Sequence, residues 1–312
     1  MSRFAENLRA GLSDGLVNYP KSGIALPGIG DAANRNALVG QLIESLRRNE
    51  FVVRLRTTKI ADARCDPNSK IFDPIRAAAY LYRRGDVDEA FWLVFLATHF
   101  GKHLKDGWQL VRDVYRGGDG GAWTFARFGN NPEAFSEWLS GKYEEWSGDG
   151  ITRKFGNHRK YETLRTDSAR GTNVVLRSYV GWIGANRGHA GFLTDAEGVV
   201  GADPNALFDF LYHSMAEVQS FGRTARFDYL TMLGKLGLAA IEPGIPYLIG
   251  ATGPLRGARL LFGGSPTADL AAKDLNNEVA MLGKALGFGM QAAEDALCNW
   301  QKSPSKFVAF RG

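Results

Sequence analysis

Apolar positions along the chain recur mostly at helical spacing. Phe91, Trp92, Val94, Phe95, Leu96 and Phe100 cover most of a helix surface, the pattern of an interior helix. Leu207, Phe208, Leu211 and Met215 keep an i, i+3/i+4 rhythm, and so do Val279, Leu282 and Leu286. Start signals match these runs. Asp73-Pro74, Asn131-Pro132 and Asp203-Pro204 each set a capping side chain before a proline at the first helical position. They predict helices running to Gly85, to Gly141 and onward from 204. Asp86 opens a further helix, with Asp88 and Glu89 at its positive end. Strand signals are sparse. Only FVVRLRTTKI (51–60) alternates, weakly, as one strand or an extended arm. The fold predicted is mostly α and two-lobed. The Gly-rich stretch 187–203 marks a soft boundary between lobes 1–190 and 191–312, or a long loop within one continuous domain.

Composition is that of a globular chain. Of 312 residues, 45% are hydrophobic and 23% charged, which excludes disordered and collagen-like classes. Two cysteines, Cys65 and Cys298, exclude a disulfide framework and a cysteine zinc site. The start, MSRFAENLRAG, lacks the apolar core of a signal peptide. No window approaches the roughly 18 apolar residues of a membrane helix, so a cytoplasmic, membrane-free protein is expected. There is no GxxxxGK[ST] and no GxGxxG after a strand, so no nucleotide cofactor is expected. His99 and His103 have metal-like spacing, but Gly101 interrupts them and no carboxylate completes a set. No metal is expected.

Charge is uneven. The net excess is +5. Arg153, Lys154, Arg159, Lys160, Arg165, Arg170 and Arg177, against Glu162 and Asp167, hold the same excess within 153–177. Interleaved with Tyr, Asn and Thr, these cations suit a phosphate backbone, with Arg159, Lys160 and Arg165 as DNA contacts and His158 touching phosphate or a flipped base. The competing reading is a solvated face paired with the acidic stretch 119–149.

A helix ending near Gln219, the turn Ser220-Phe221-Gly222 and a second helix from Arg223 have the outline of a helix-hairpin-helix, although an ordinary helical hairpin fits too. In such a hairpin the amides after Gly222, with Arg223 and Arg226, would meet a phosphate. The Gly- and Pro-dense but apolar EPGIPYLIGATGPLRGARLLFGG (242–264) reads as a packed, shaped loop. Arg256 and Arg259 share a face there, and a terminal helix carries QAAEDALCNWQK (291–302), with Glu294, Cys298 and Lys302 on one side. Arg256, Arg259 and Lys302 join the DNA-contact candidates.

These segments together resemble the α-glutamyl/putrescinyl thymine pyrophosphorylases. FDPIRAAAYLYRRGDVDEAFWLVFLATHFGK (72–102) and FGNHRKYETLR (155–165) resemble a bacterial branch of that family. The resemblance spans roughly 70–302. It implies a link to hypermodified bases in phage DNA and a fold similar to helix-hairpin-helix DNA glycosylases, placed in the C-terminal lobe with the hairpin near 219–223. The better-known branches carry a polar amide where this chain has Asp228, which is closer to what a glycosylase needs.

Cleavage of an N-glycosidic bond needs a carboxylate near a cationic sugar and a pocket for the flipped base. Asp228, with Glu242 as the second candidate, would supply the first; Tyr229, Tyr247 and His158 would shape the second. The leading expectation is therefore a hydrolase that excises a modified base from phage DNA, in antiviral defence. The alternatives are a transferase, in which an amine displaces diphosphate from an activated thymine in DNA, and a non-catalytic module that binds modified DNA.

Overall fold

The computed structural model describes residues 3–156, 159 and 162–309. Among them the chain forms fourteen α-helices and short 3₁₀ turns, with isolated bridges but no strands. None of these helices is long and apolar enough to cross a membrane.

Two compact units form. One runs from Val53 to Glu242; the other joins the chain up to Val52 with the chain from Pro243 onward. The division differs from the 1–190 and 191–312 lobes that the sequence predicts. The segment 187–203, predicted to be a Gly-rich boundary, is mainly helix α9 (Gly188–Val200). Phe192 packs edge-on against Trp182 there, so apolar burial holds a helix despite its glycines. FVVRLRTTKI is not a strand. Helix α2 (Ala32–Arg54) runs into it, and turns follow to Thr58.

In the unit 53–242 the proline starts appear where predicted: α3 (Pro74–Arg83), α7 (Pro132–Gly148) and α10 (Pro204–Ser214). Asp73, Asn131 and Asp203 each accept backbone N–H groups of the first turn. α7 passes the predicted stop at Gly141. Helix α4 (Val87–Phe100), capped by Asp86, is the central element. It packs against α3, α9 and α11 (Arg223–Leu236), and Trp92, Phe95 and Phe100 are fully buried. Phe95 stacks on Tyr179 of α8 (Thr172–Ile183) at 3.7 Å and on Phe221 at 4.7 Å.

In the other unit α2 packs in one core with α1 (Arg3–Asn18), α12 (Gly253–Gly263), α13 (Ala272–Leu286) and α14 (Met290–Trp300). The segments predicted as a shaped loop and a terminal helix meet here. A Cβ on Gly257 would overlap the Leu297 carbonyl oxygen, so α12 lies against α14 as closely as glycine permits.

Candidate functional site

The 204–236 hairpin is built by local chemistry. After α10 come a 3₁₀ turn (Met215–Glu217) and the turn 218–222, and Gly222 opens α11 without a side-chain cap. Phe221 anchors the turn in the core. Arg226 lies over the Tyr212 ring at 4.7 Å and donates to the Tyr212 carbonyl (3.1 Å), tying α11 back to α10. Arg223 stands over Phe227 at 5.3 Å. Ser220, just before Phe221, holds φ +61°, a conformation uncommon outside glycine.

Described residues of the segment 155–171 meet α11. Gly156 donates to the Phe100 carbonyl (2.8 Å) at the end of α4, and a Cβ on Gly156 would lie 2.9 Å from Gly101 backbone atoms. That close approach carries Arg159 inward. Its side chain is 10% exposed. Nε donates to the Thr98 carbonyl (2.7 Å), and Nη2 stands 3.5 Å from Oδ2 of Asp228, whose side chain is 49% exposed. His99 is fully buried beside this point, with Nε2 3.1 Å from Thr172 Oγ1. Burial, then the charge of Arg159, pushes the His99 pKa down to about 3, so its ring is neutral at ordinary pH. His103 lies beyond the helix end and pairs with Asp106 at 2.9 Å, so the two histidines do not converge. Among the described residues no group of three or more His, Cys, Asp or Glu could hold a metal.

Glu162, which the sequence suggests only as a charge set against the basic run, belongs to the same place. Its carboxylate accepts from the Ser220 hydroxyl, and burial raises its pKa against the pull of Ser220, Arg159 and Arg170. The one sequence signal for it is an acid within a run of bases. The basic segment itself is partly neutralised. Arg153 pairs with Asp113 and Asp149, both at 2.8 Å, Arg165 with Asp167 at 2.7 Å, and Arg177 with Glu133 at 2.6 Å. His158 and Lys160 lie outside the described residues.

The remaining candidates are dispersed. Tyr229 is 1% exposed and bonds only inward, to Tyr179, so it does not line an open pocket as the sequence predicts. Tyr247, also buried and at φ +51°, belongs to the other compact unit. Glu242 is exposed; its backbone N–H donates to the Pro204 carbonyl (3.2 Å), and its carbonyl accepts from Asn205 (2.8 Å). Arg256 is exposed on α12, whereas Arg259 donates to the Leu270 carbonyl (3.2 Å). Lys302 donates to Asn299 Oδ1 (3.0 Å), and Asn299 Nδ2 donates to Asp295 Oδ1 at the same distance. Asp295 also binds Ser45 and Arg48 of α2. The structure thus brings Arg159, Glu162, Ser220 and Asp228 together on 53–242. It places Tyr247, Arg256, Arg259 and Lys302 in the other unit.

Residues 33–312 match the family model described as alpha-glutamyl/putrescinyl thymine pyrophosphorylase clade 3. No curated protein and no solved structure matches the chain.

Proposed function

The chain belongs to the alpha-glutamyl/putrescinyl thymine pyrophosphorylase family, clade 3, and we propose that it modifies DNA by transfer rather than by excision. The substrate is a thymine in DNA activated by a diphosphate on its methyl carbon. An amine attacks that carbon, a C–N bond forms, the C–O bond breaks, and diphosphate leaves with the electron pair. The observation that carries this reading is the family match over 33–312.

The chemistry needs a carboxylate to handle the cationic amine and guanidinium groups to receive the developing charge of diphosphate. Asp228 and Arg159 stand 3.5 Å apart on the unit 53–242, with Arg223 at the start of the same helix. Arg165 and Arg170 are exposed on the preceding segment and supply contacts to the DNA backbone. The hairpin that ends at Gly222 acts as the helix-hairpin-helix element that presents α11 to DNA. The base leaves the stack to be reached.

Base excision is the second reading, favoured by one observation. Asp228 is a half-exposed carboxylate six residues into the helix that follows the hairpin. The products separate the two. Incubation of the protein with activated phage DNA and a primary amine gives diphosphate and an amine adduct if transfer is correct. Abasic sites without adduct overturn transfer in favour of excision, and neither product leaves a binding module.

A further inference from the structure

Arg159 and Glu162 carry two side chains to α11 and to the loop that leads into it. The Glu162 N–H donates to the Arg159 carbonyl (3.1 Å), so the two residues share a turn. Arg159 reaches Asp228 on α11, and Glu162 accepts from Ser220 in the loop that leads into α11. Ser220 holds its left-handed backbone at a steric cost while making this bond. The second oxygen of Glu162, Oε2, is closed off from solvent and has no hydrogen-bond partner among the described residues. A buried carboxylate oxygen without a donor is unfavourable unless a proton or a ligand donor meets it. Asp167, five residues on, has its Arg165. Among the described residues of this segment, Glu162 is the carboxylate held in place with acceptor capacity left over.

We infer that Glu162 is a catalytic base of this site, taking a proton from the amine nucleophile beside Asp228. The assignment rests on the transfer reading above. A protonated amine has no lone pair with which to attack. Glu162 Oε2 accepts one proton from the ammonium and leaves the neutral amine. The nitrogen lone pair then forms the C–N bond as the C–O bond breaks and diphosphate departs with its electrons. The resulting secondary ammonium and the Glu162 carboxyl each return a proton to water. Among the described residues, Arg159 and Arg170 are the charged groups that act on Glu162, with Asp228 beyond Arg159. Burial outweighs their pull and lifts the carboxyl above its usual range, so it takes up a proton more readily near neutral pH.

The test uses the full chain, DNA bearing diphosphate-activated thymine, and a primary diamine. Glu162→Gln should slow adduct formation by about 10²-fold or more, with DNA affinity and melting temperature close to wild type. Glu162→Ala should recover part of its rate with added formate, which a purely structural role would not produce. Adduct formed at the wild-type rate by Glu162→Gln overturns this assignment alone, and so does absence of formate rescue. Abasic sites in place of adduct with the wild-type protein overturn the transfer reading and this assignment with it. One measurement needs no turnover: ¹³C titration of the Glu162 carboxyl in the intact protein should show a midpoint above that of an ordinary glutamate. An ordinary midpoint would also overturn the assignment.

Discussion

The hydroxyl oxygens of Tyr179 and Tyr229 lie 2.7 Å apart in the core of the unit 53–242. Tyr179 also meets His189 Nε2 at 2.7 Å, and His189 Nδ1 meets Asp88 Oδ1 at 2.7 Å. The chain links α11, α8, α9 and α4. Tyr179→Phe would leave both the His189 nitrogen and the Tyr229 hydroxyl without a partner, at about 2–4 kcal/mol. Tyr229→Phe removes one end only and should cost about 1 kcal/mol. Urea midpoints of the two variants measure the difference. Tyr229→Phe should leave recognition of the modified base unchanged; a loss of that recognition would return Tyr229 to the base pocket.

Glu89 gives stability a pH dependence. It is buried, accepting from Tyr115 Oη (2.6 Å) and the Phe125 N–H (2.9 Å), and burial raises its pKa to about 7 from the usual 4.5. Because the folded-state value is the higher one, the folded protein binds more protons between those values. Its contribution is complete below the unfolded pKa and is lost as pH rises through about 7. The loss is on the order of 3 kcal/mol. The melting temperature of the wild type should fall from about pH 5 to about pH 8. Glu89→Gln should show a flatter profile and, lacking one acceptor oxygen, a lower value at the acid end.

Gly257→Ala forces a methyl group into the Leu297 carbonyl and should destabilise the packing of α12 on α14 by about 1–3 kcal/mol or more. Gly141→Ala on α7 meets nothing within 4 Å and should stabilise by about 0.5–1 kcal/mol. Thermal unfolding of the two variants compares them directly.

Asp228→Asn should reduce turnover by about 10²-fold while the protein stays folded and still binds DNA. Its partner Arg159 is also bonded to Thr98, and Asp228 is half exposed, so the stability change should stay below about 1 kcal/mol. Product release at equal DNA occupancy is the measurement. Full activity would remove Asp228 from the site.

Arg165→Ala with Arg170→Ala should weaken DNA binding about equally for all sequences. For each phosphate deprived of its guanidinium, the slope of log affinity against log salt should become shallower by about 0.9. Arg159 is left intact in this experiment because it holds the segment to α4. An unchanged slope would make the basic run a solvated face.

The helices around the site were legible because their signals act over a few residues. Asp73, Asp86, Asn131 and Asp203 cap amides two or three positions away, and the burial of Phe91 to Ala97, His99 and Phe100 follows from their apolar run. Where weak local alternation and glycine content pointed elsewhere, helix took 51–54 and 188–200, and turns took 55–58. Extending α2 and burying Phe192 of α9 outweigh intrinsic preference.

By itself the sequence determined an α-helical chain, the caps Asp73, Asp86, Asn131 and Asp203, the buried face of 91–100 and of 207–215, and the motifs that mark its family. Tertiary structure alone decided which distant segments meet. It joined helices α1 and α2 with the segment from Pro243 onward into one unit, set Arg159 beside Asp228 across 69 positions, and turned Glu162 to Ser220. Caps and periodicity are short-range interactions written in neighbouring residues. The meeting of Gly156 with Gly101, or Gly257 with Leu297, depends instead on how whole helices pack, and packing has no signature in any one stretch of chain.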